Sequence, residues 1–273
     1  MRTLSFVLAL LIIPIAAVSQ TVRTSDTVLD VLQLGALLEI MQEEAIQAGA
    51  DLETDLLGGR GGTGWTRTIE RINDADVIET QLRDEFHAAL SDDQVEPILT
   101  FFESESGKRI VTLELSARRA LLDPDVEAMN LEALAGELQS PRMPLLDRFV
   151  EANGLIDRNV AGALQANVAF LEGLQAIDGG GAAVPAARDD ILAQVASQEP
   201  EIRADTTEWV YGFLYLAYRP LTDETLEAYI AFSESEAGRA LNDALFDAFD
   251  LVFVETSRQT GEALARVMAS EDI

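Results

Sequence analysis

The side chains that could do chemistry in this sequence are mostly carboxylates, and two pairs of them recur. Glu103 and Glu105 lie in LSDDQVEPILTFFESESGKRI (90–110), and Glu234 and Glu236 in LTDETLEAYIAFSESEAGRAL (221–241). Two carboxyls ~5–10 Å apart across a cleft can cleave a glycosidic bond. Residues i and i+2 on one helix do not face each other, so these pairs could converge only across a corner of the chain. A place in the first turn of a helix, where the dipole favours an acid, explains Glu105 and Glu236 without catalysis. A carboxylate-dependent hydrolase acting on an envelope polymer is therefore the alternative reading, not the leading one.

The other constellations are weaker. His87 is the single histidine, so a Ser-His-Asp set would have to use it, and nothing like G-x-S-x-G accompanies it. Extended back from the two runs, the alignment sets it opposite Tyr218, a swap that suits a semi-buried helical position with a polar tip. Gly59-x-Gly61-x-x-Gly64 has the spacing of a dinucleotide fingerprint, but the chemistry needs a strand before it, and the acidic helical run ADLETDLL stands there. One His and no Cys leave a transition-metal site short of the nitrogen and sulfur donors it mostly uses. Calcium needs only oxygens. Asp123-x-Asp125-x-Glu127 and Asn73-Asp74-x-Asp76 are candidates, and a calcium-dependent module is a second alternative, although neither stretch continues as an EF-hand loop. No catalytic set, cofactor site or metal site is assigned from these residues.

The elements that would position such groups are helices. The two runs align without a gap, 131 positions apart, and share Leu90/Leu221, Asp92/Asp223, Glu96/Glu227, Phe101/Phe232, Glu103/Glu234, Ser104/Ser235, Glu105/Glu236 and Gly107/Gly238. Each reads as two helices meeting at a tight corner. Ser91 and Thr222 are N-cap types; acids follow them, and Val95, Ile98, Leu99 and Phe102 make an apolar stripe. Ser104 and Ser235 cap the next helix. Gly107 and Gly238 fall at its third position, where glycine costs ~1 kcal/mol relative to alanine. Close approach of the two helices accounts for a glycine in both copies.

The run F-[YF]-x-S-x-x-G-x-[KR] behind such a cap resembles a bacterial family of secreted or periplasmic helical domains, the domain-of-unknown-function family numbered twenty fifty-nine. The matching residues are Phe101, Phe102, Ser104, Gly107 and Arg109, then Phe232, Ser235 and Gly238. The second copy departs from the pattern, with Ser233 for the second aromatic and Ala240 at the basic position. The resemblance implies an all-helical exported domain and brings no activity with it.

Residues 1–19 read as a secretory signal: Arg2, an apolar run from Leu4 to Ala17, and small Ala17 and Ser19 ahead of a cleavage site before Gln20. The apolar run is short for a membrane span, which needs ~20 residues. The mature chain of about 254 residues then has room for one large or two small helical domains. The formal charge of −29 for the whole sequence excludes a general nucleic-acid binder and leaves a solvated acidic surface or a cationic envelope protein or peptide as partner.

The first repeat spans 25–139, the second 141–270, with the boundary at Ser140-Pro141. A helical block at 25–57, a Gly-rich loop at 58–64 and a Trp65 helix precede the first corner. A long helix from Pro144 to Ala176, a loop containing Gly179, Gly180 and Gly181, and a Trp209 helix precede the second. Trp65, Trp209, Phe101 and Phe232 all read as core. With no alternating strand pattern, the expected fold is all-α, a duplicated helical repeat packed as a multi-helix bundle. The expected function is that of an exported, non-catalytic binding or scaffold module of the cell envelope.

Overall fold

The computed structural model describes residues 24–176 and 187–269. The stretch 1–19, read above as a secretory signal, and the triplet Gly179–Gly181 lie outside them. The described chain is helical throughout, without strands: α1 (Ser25–Val31), α2 (Leu34–Leu52), α3 (Gly62–Ile72), α4 (Ala75–Ala89), α5 (Asp92–Phe102), α6 (Glu105–Ala120), α7 (Pro124–Glu137), α8 (Met143–Asn153), α9 (Leu155–Gln175), α10 (Arg188–Ser197), α11 (Glu199–Tyr218), α12 (Asp223–Ser233) and α13 (Glu236–Ala269).

Capping sets most of the breaks. Ser91 starts α5 in a reciprocal box, its amide donating to Gln94 Oε1 over 3.0 Å, and the Thr222 hydroxyl accepts from the Thr225 amide ahead of α12. Asp74 and Asp123 cap α4 and α7 through the amides of Val77 and Asp125. Two of the expected long helices are in fact broken. The block at 25–57 turns at Gln33, which sits in the left-handed region (φ 56°), and then ends in a single π-helical turn, Glu53–Leu57. The helix expected from Pro144 to Ala176 divides at Gly154 (φ 59°) into α8 and α9.

The core does not divide at residue 140. One buried cluster joins Leu29, Leu38, Leu82, Ile98 and Phe102 to Leu241, Ala244 and Val252 of α13. A second joins Ile110 and Leu134 to Leu146, Leu214, Tyr218 and Ile230. A third joins Trp65 and Ile69 to Leu264. Each fully buried Leu, Ile or Phe contributes ~1.5–3 kcal/mol, and every cluster collects that contribution across the two halves.

The most extensive helix pair is α9 with α13. Gly162 faces Asp250 while Gly261 faces Phe170 and Leu174, so the two helices run in the same direction. A Cβ at Gly173 would lie 2.2 Å from the Arg258 carbonyl oxygen, and one at Gly261 2.1 Å from that of Phe170. Backbone thus meets backbone along this pair, and α13 continues across α3, α4 and α5 of the first half.

Candidate functional site

The two corners have the same construction. Ser104 Oγ accepts from the Gly107 amide (3.0 Å) and donates to the Phe101 carbonyl (2.6 Å). Ser235 Oγ accepts from the Gly238 amide (3.0 Å) and donates to the Phe232 carbonyl (2.6 Å). A Cβ on Gly107 would lie 2.3 Å from the Phe101 carbonyl oxygen, and one on Gly238 2.0 Å from that of Phe232. Glycine is required at both places because the second helix starts against the backbone of the first. Glu103 and Glu234 are the C-cap residues of α5 and α12, so they hold equivalent places in the turn.

The corners also touch each other. Phe101 stacks on Phe232 (centroids 4.3 Å apart, planes at 13°), and Phe102 stands perpendicular to both Phe232 (5.3 Å) and Tyr229 (6.1 Å). Arg109, at the start of α6, donates to the carbonyl of Pro220 just before the second corner (3.1 Å).

Behind these rings lies a cavity of about 180 Å³ lined by both halves. Three pairs of its lining residues stand 131 positions apart: Phe102 and Ser233, Val111 and Asn242, Glu114 and Leu245. In each pair one member is apolar and the other polar. Part of the polarity of the site thus comes from positions where the two halves, set 131 residues apart, differ in residue type. Tyr229, Phe232 and Phe249 add aromatic walls, and Asn153 adds an amide; the Asn242 side chain donates to the Asn153 carbonyl over 3.1 Å.

Glu114 is the one charged residue lining this cavity. It sits on the inward face of α6, three residues from buried Val111 and three from buried Ala117. Tyr218, at the end of α11, donates to its Oε1 over 2.6 Å, and the Tyr229 hydroxyl bonds the same carboxyl. No Arg or Lys among the described residues pairs with it. Removal from water pushes its pKa up to about 7; the hydrogen bonds from Tyr218 and Tyr229 pull the other way but do not prevail. Burial and the neighbouring Glu114 raise both tyrosines well above the ordinary range, so their hydroxyls remain donors.

The carboxylates singled out in the sequence do not meet here. Glu103 is half-buried and Glu105, Glu234 and Glu236 are exposed; Glu234 lies 3.4 Å from Arg148, and none of the four lines the cavity. His87 is exposed rather than semi-buried, whereas Tyr218, its partner in the alignment, is 1% exposed. The His87 Nδ1 is 2.9 Å from Ser25 Oγ, but Ser25 is buried and no carboxylate among the described residues pairs with the ring. The glycines at 58–64 follow a helix, and the Glu53 carboxylate accepts from the Gly62 amide at the start of α3 (2.6 Å), where an anion would otherwise bind. Asp123 and Asp74, from the two oxygen-rich stretches, serve as helix caps. Among the described residues, no three His, Asp or Glu lie together so as to hold a metal ion.

Trp65 is core, its indole N–H donating to the Gly49 carbonyl over 2.7 Å. Trp209 is not: it is 38% exposed, stacked on Phe213 with Arg118 over its face. Arg118 in turn pairs with both oxygens of Glu44 at 2.8 Å. A larger cavity of about 460 Å³ opens beside them between α2, α9 and α13.

The fold and site define an all-α bundle with a small, mostly apolar chamber where two like corners meet. Residues 76–134, from α4 into α7, match the model of a family described as "Uncharacterized protein conserved in bacteria (DUF2059)". The first corner and Glu114 fall inside that stretch; the second corner lies outside it. No curated protein and no solved structure matches the chain.

Proposed function

We propose that this chain is an exported, non-catalytic binding module of the bacterial cell envelope, built by duplication of a helical corner, that holds a small ligand in the chamber between its two corners. The observation that carries this reading is the composition of the chamber. Three of its lining pairs are related by the 131-residue repeat, and each joins an apolar residue to a polar one. A concave, largely apolar site with a few converging polar groups is the usual form of a small-molecule site. It holds a single carboxylate, whereas glycoside cleavage needs two, so the chamber supports binding over hydrolysis. Export is supported by the apolar leader and the small residues before Gln20. The charge of −29 supports an acidic surface suited to a cationic envelope partner whose association weakens with salt.

Two measurements test this. Fractionation with N-terminal sequencing should find a periplasmic or secreted chain beginning at Gln20; a cytoplasmic chain that retains Arg2 rejects export. A thermal-shift screen of envelope metabolites should find ligands that stabilise the protein but not Ser233→Phe, in which a ring fills the chamber. Ligands that act equally on both proteins place the site elsewhere.

A further inference from the structure

The chamber is small, with the space of about six water molecules at ~30 Å³ each. Aromatic rings come from three helices, Phe102 on α5, Tyr229 and Phe232 on α12, and Phe249 on α13, and Phe102 stands perpendicular to the two on α12. Rings set this way form the walls of a box. Among the described residues its one charge is the Glu114 carboxylate, which no Arg or Lys there neutralises. Glu44 and Glu79, two other half-buried acids, do have such partners: Glu44 has Arg118, and Glu79 has Arg83. A buried carboxylate without a counter-charge is costly, and aromatic faces attract cations whose hydration is weak.

Resting on the reading of this chamber as a ligand site, we propose that it takes a small organic ammonium ion, its charge set against Glu114 and its alkyl groups against Phe102, Tyr229, Phe232 and Phe249. An inorganic cation would need several oxygen ligands, and the chamber is mostly apolar. A neutral ligand would leave Glu114 uncompensated.

The proposal has a proton signature. The groups facing Glu114 are Tyr218 from α11 and Tyr229 from α12, both held neutral; Ser233, Asn153 and Asn242 complete the polar lining without charge. With the site empty, the carboxyl is partly protonated near neutral pH. The bound cation holds it ionised, so binding releases a proton below about pH 7 and weakens by up to ~10-fold per pH unit there.

Calorimetry on the mature chain at constant ionic strength tests this with choline chloride and its neutral isostere 3,3-dimethylbutan-1-ol. Choline should bind at least tenfold more tightly than the alcohol at pH 8, and several-fold more weakly at pH 6. Glu114→Gln, with its fold checked by circular dichroism, should lose at least tenfold in choline affinity and the pH dependence with it. Alcohol binding as tight as choline, or choline binding unchanged in Glu114→Gln, overturns the cation and leaves the chamber a ligand site. If neither probe binds at millimolar concentration, the cation is overturned, while the metabolite screen against Ser233→Phe still decides whether the chamber takes another ligand.

Discussion

Phe101 and Phe232, 131 positions apart in the chain, stack with their ring centroids 4.3 Å apart and their planes 13° from parallel. The pair ties the last turn of α5 to the last turn of α12, so each corner is braced by the other. Aromatic pairs of this kind contribute ~0.5–1.5 kcal/mol beyond the area they bury. A double-mutant cycle of Phe101→Leu and Phe232→Leu, read by urea denaturation, should therefore show a coupling of about that size. Strict additivity would mean that the corners do not meet in solution.

The glycines of the corners make a sharper prediction. Alanine at either position gains helix propensity of ~1 kcal/mol, but its Cβ would fall 2.3 Å from the Phe101 carbonyl oxygen at 107 and 2.0 Å from the Phe232 carbonyl oxygen at 238. These are backbone atoms and can yield only if the helices separate. Gly107→Ala and Gly238→Ala should each destabilise by ~1–3 kcal/mol net, as overpacking usually does. At Gly136 of α7 a Cβ would meet nothing within 4 Å, so Gly136→Ala should stabilise by up to ~1 kcal/mol. Equilibrium denaturation of the three variants checks the contrast in sign.

The corner was legible in the sequence because its devices are local. A capping Ser, an acid in the first turn and a glycine at the third position define it within a few residues. The chamber was not legible. Glutamate is a good helix former, so Glu114 costs nothing on an isolated helix. The penalty arises only when α11 and α12 close over it. Its spacing of three residues from Val111 and three from Ala117 was the available signal, hidden among many other acids. The breaks at Gln33 and Gly154 were missed for another reason: the apolar stripe continues across both, and only the backbone turns.

The two tryptophans should separate in fluorescence. Trp65 is 2% exposed and hydrogen-bonded to Gly49, whereas Trp209 is 38% exposed beneath Arg118. Trp65→Phe should leave red-shifted emission that iodide or acrylamide quenches readily. Trp209→Phe should leave blue-shifted, poorly quenched emission. Equal quenching of the two variants would contradict the packing of α3 against α13.

Glu114 sets a stability dependence on pH opposite in sign to that of an ion-paired acid. Its carboxyl has a pKa of about 7 in the fold against 4.5 as the ordinary value. Between those values the native state holds more protons than the unfolded chain, so stability falls as pH rises. The contribution is fully present below pH 4.5, declines through the interval and is spent above about pH 7. At ~1.4 kcal/mol per pKa unit the loss is on the order of 3 kcal/mol. General repulsion among the many acids acts in the same direction, so the comparison must be with a variant that keeps the shape. Glu114→Gln removes the titration but leaves an amide that can still accept from Tyr218. Its advantage in stability over the parent should grow from pH 5 to pH 8 and then level off. Tyr218→Phe deletes the donor that favours the ionised form, and should steepen the same fall and move its end to higher pH. Melting temperatures of the three proteins across that range check both; parallel curves would mean that the Glu114 carboxyl is not buried.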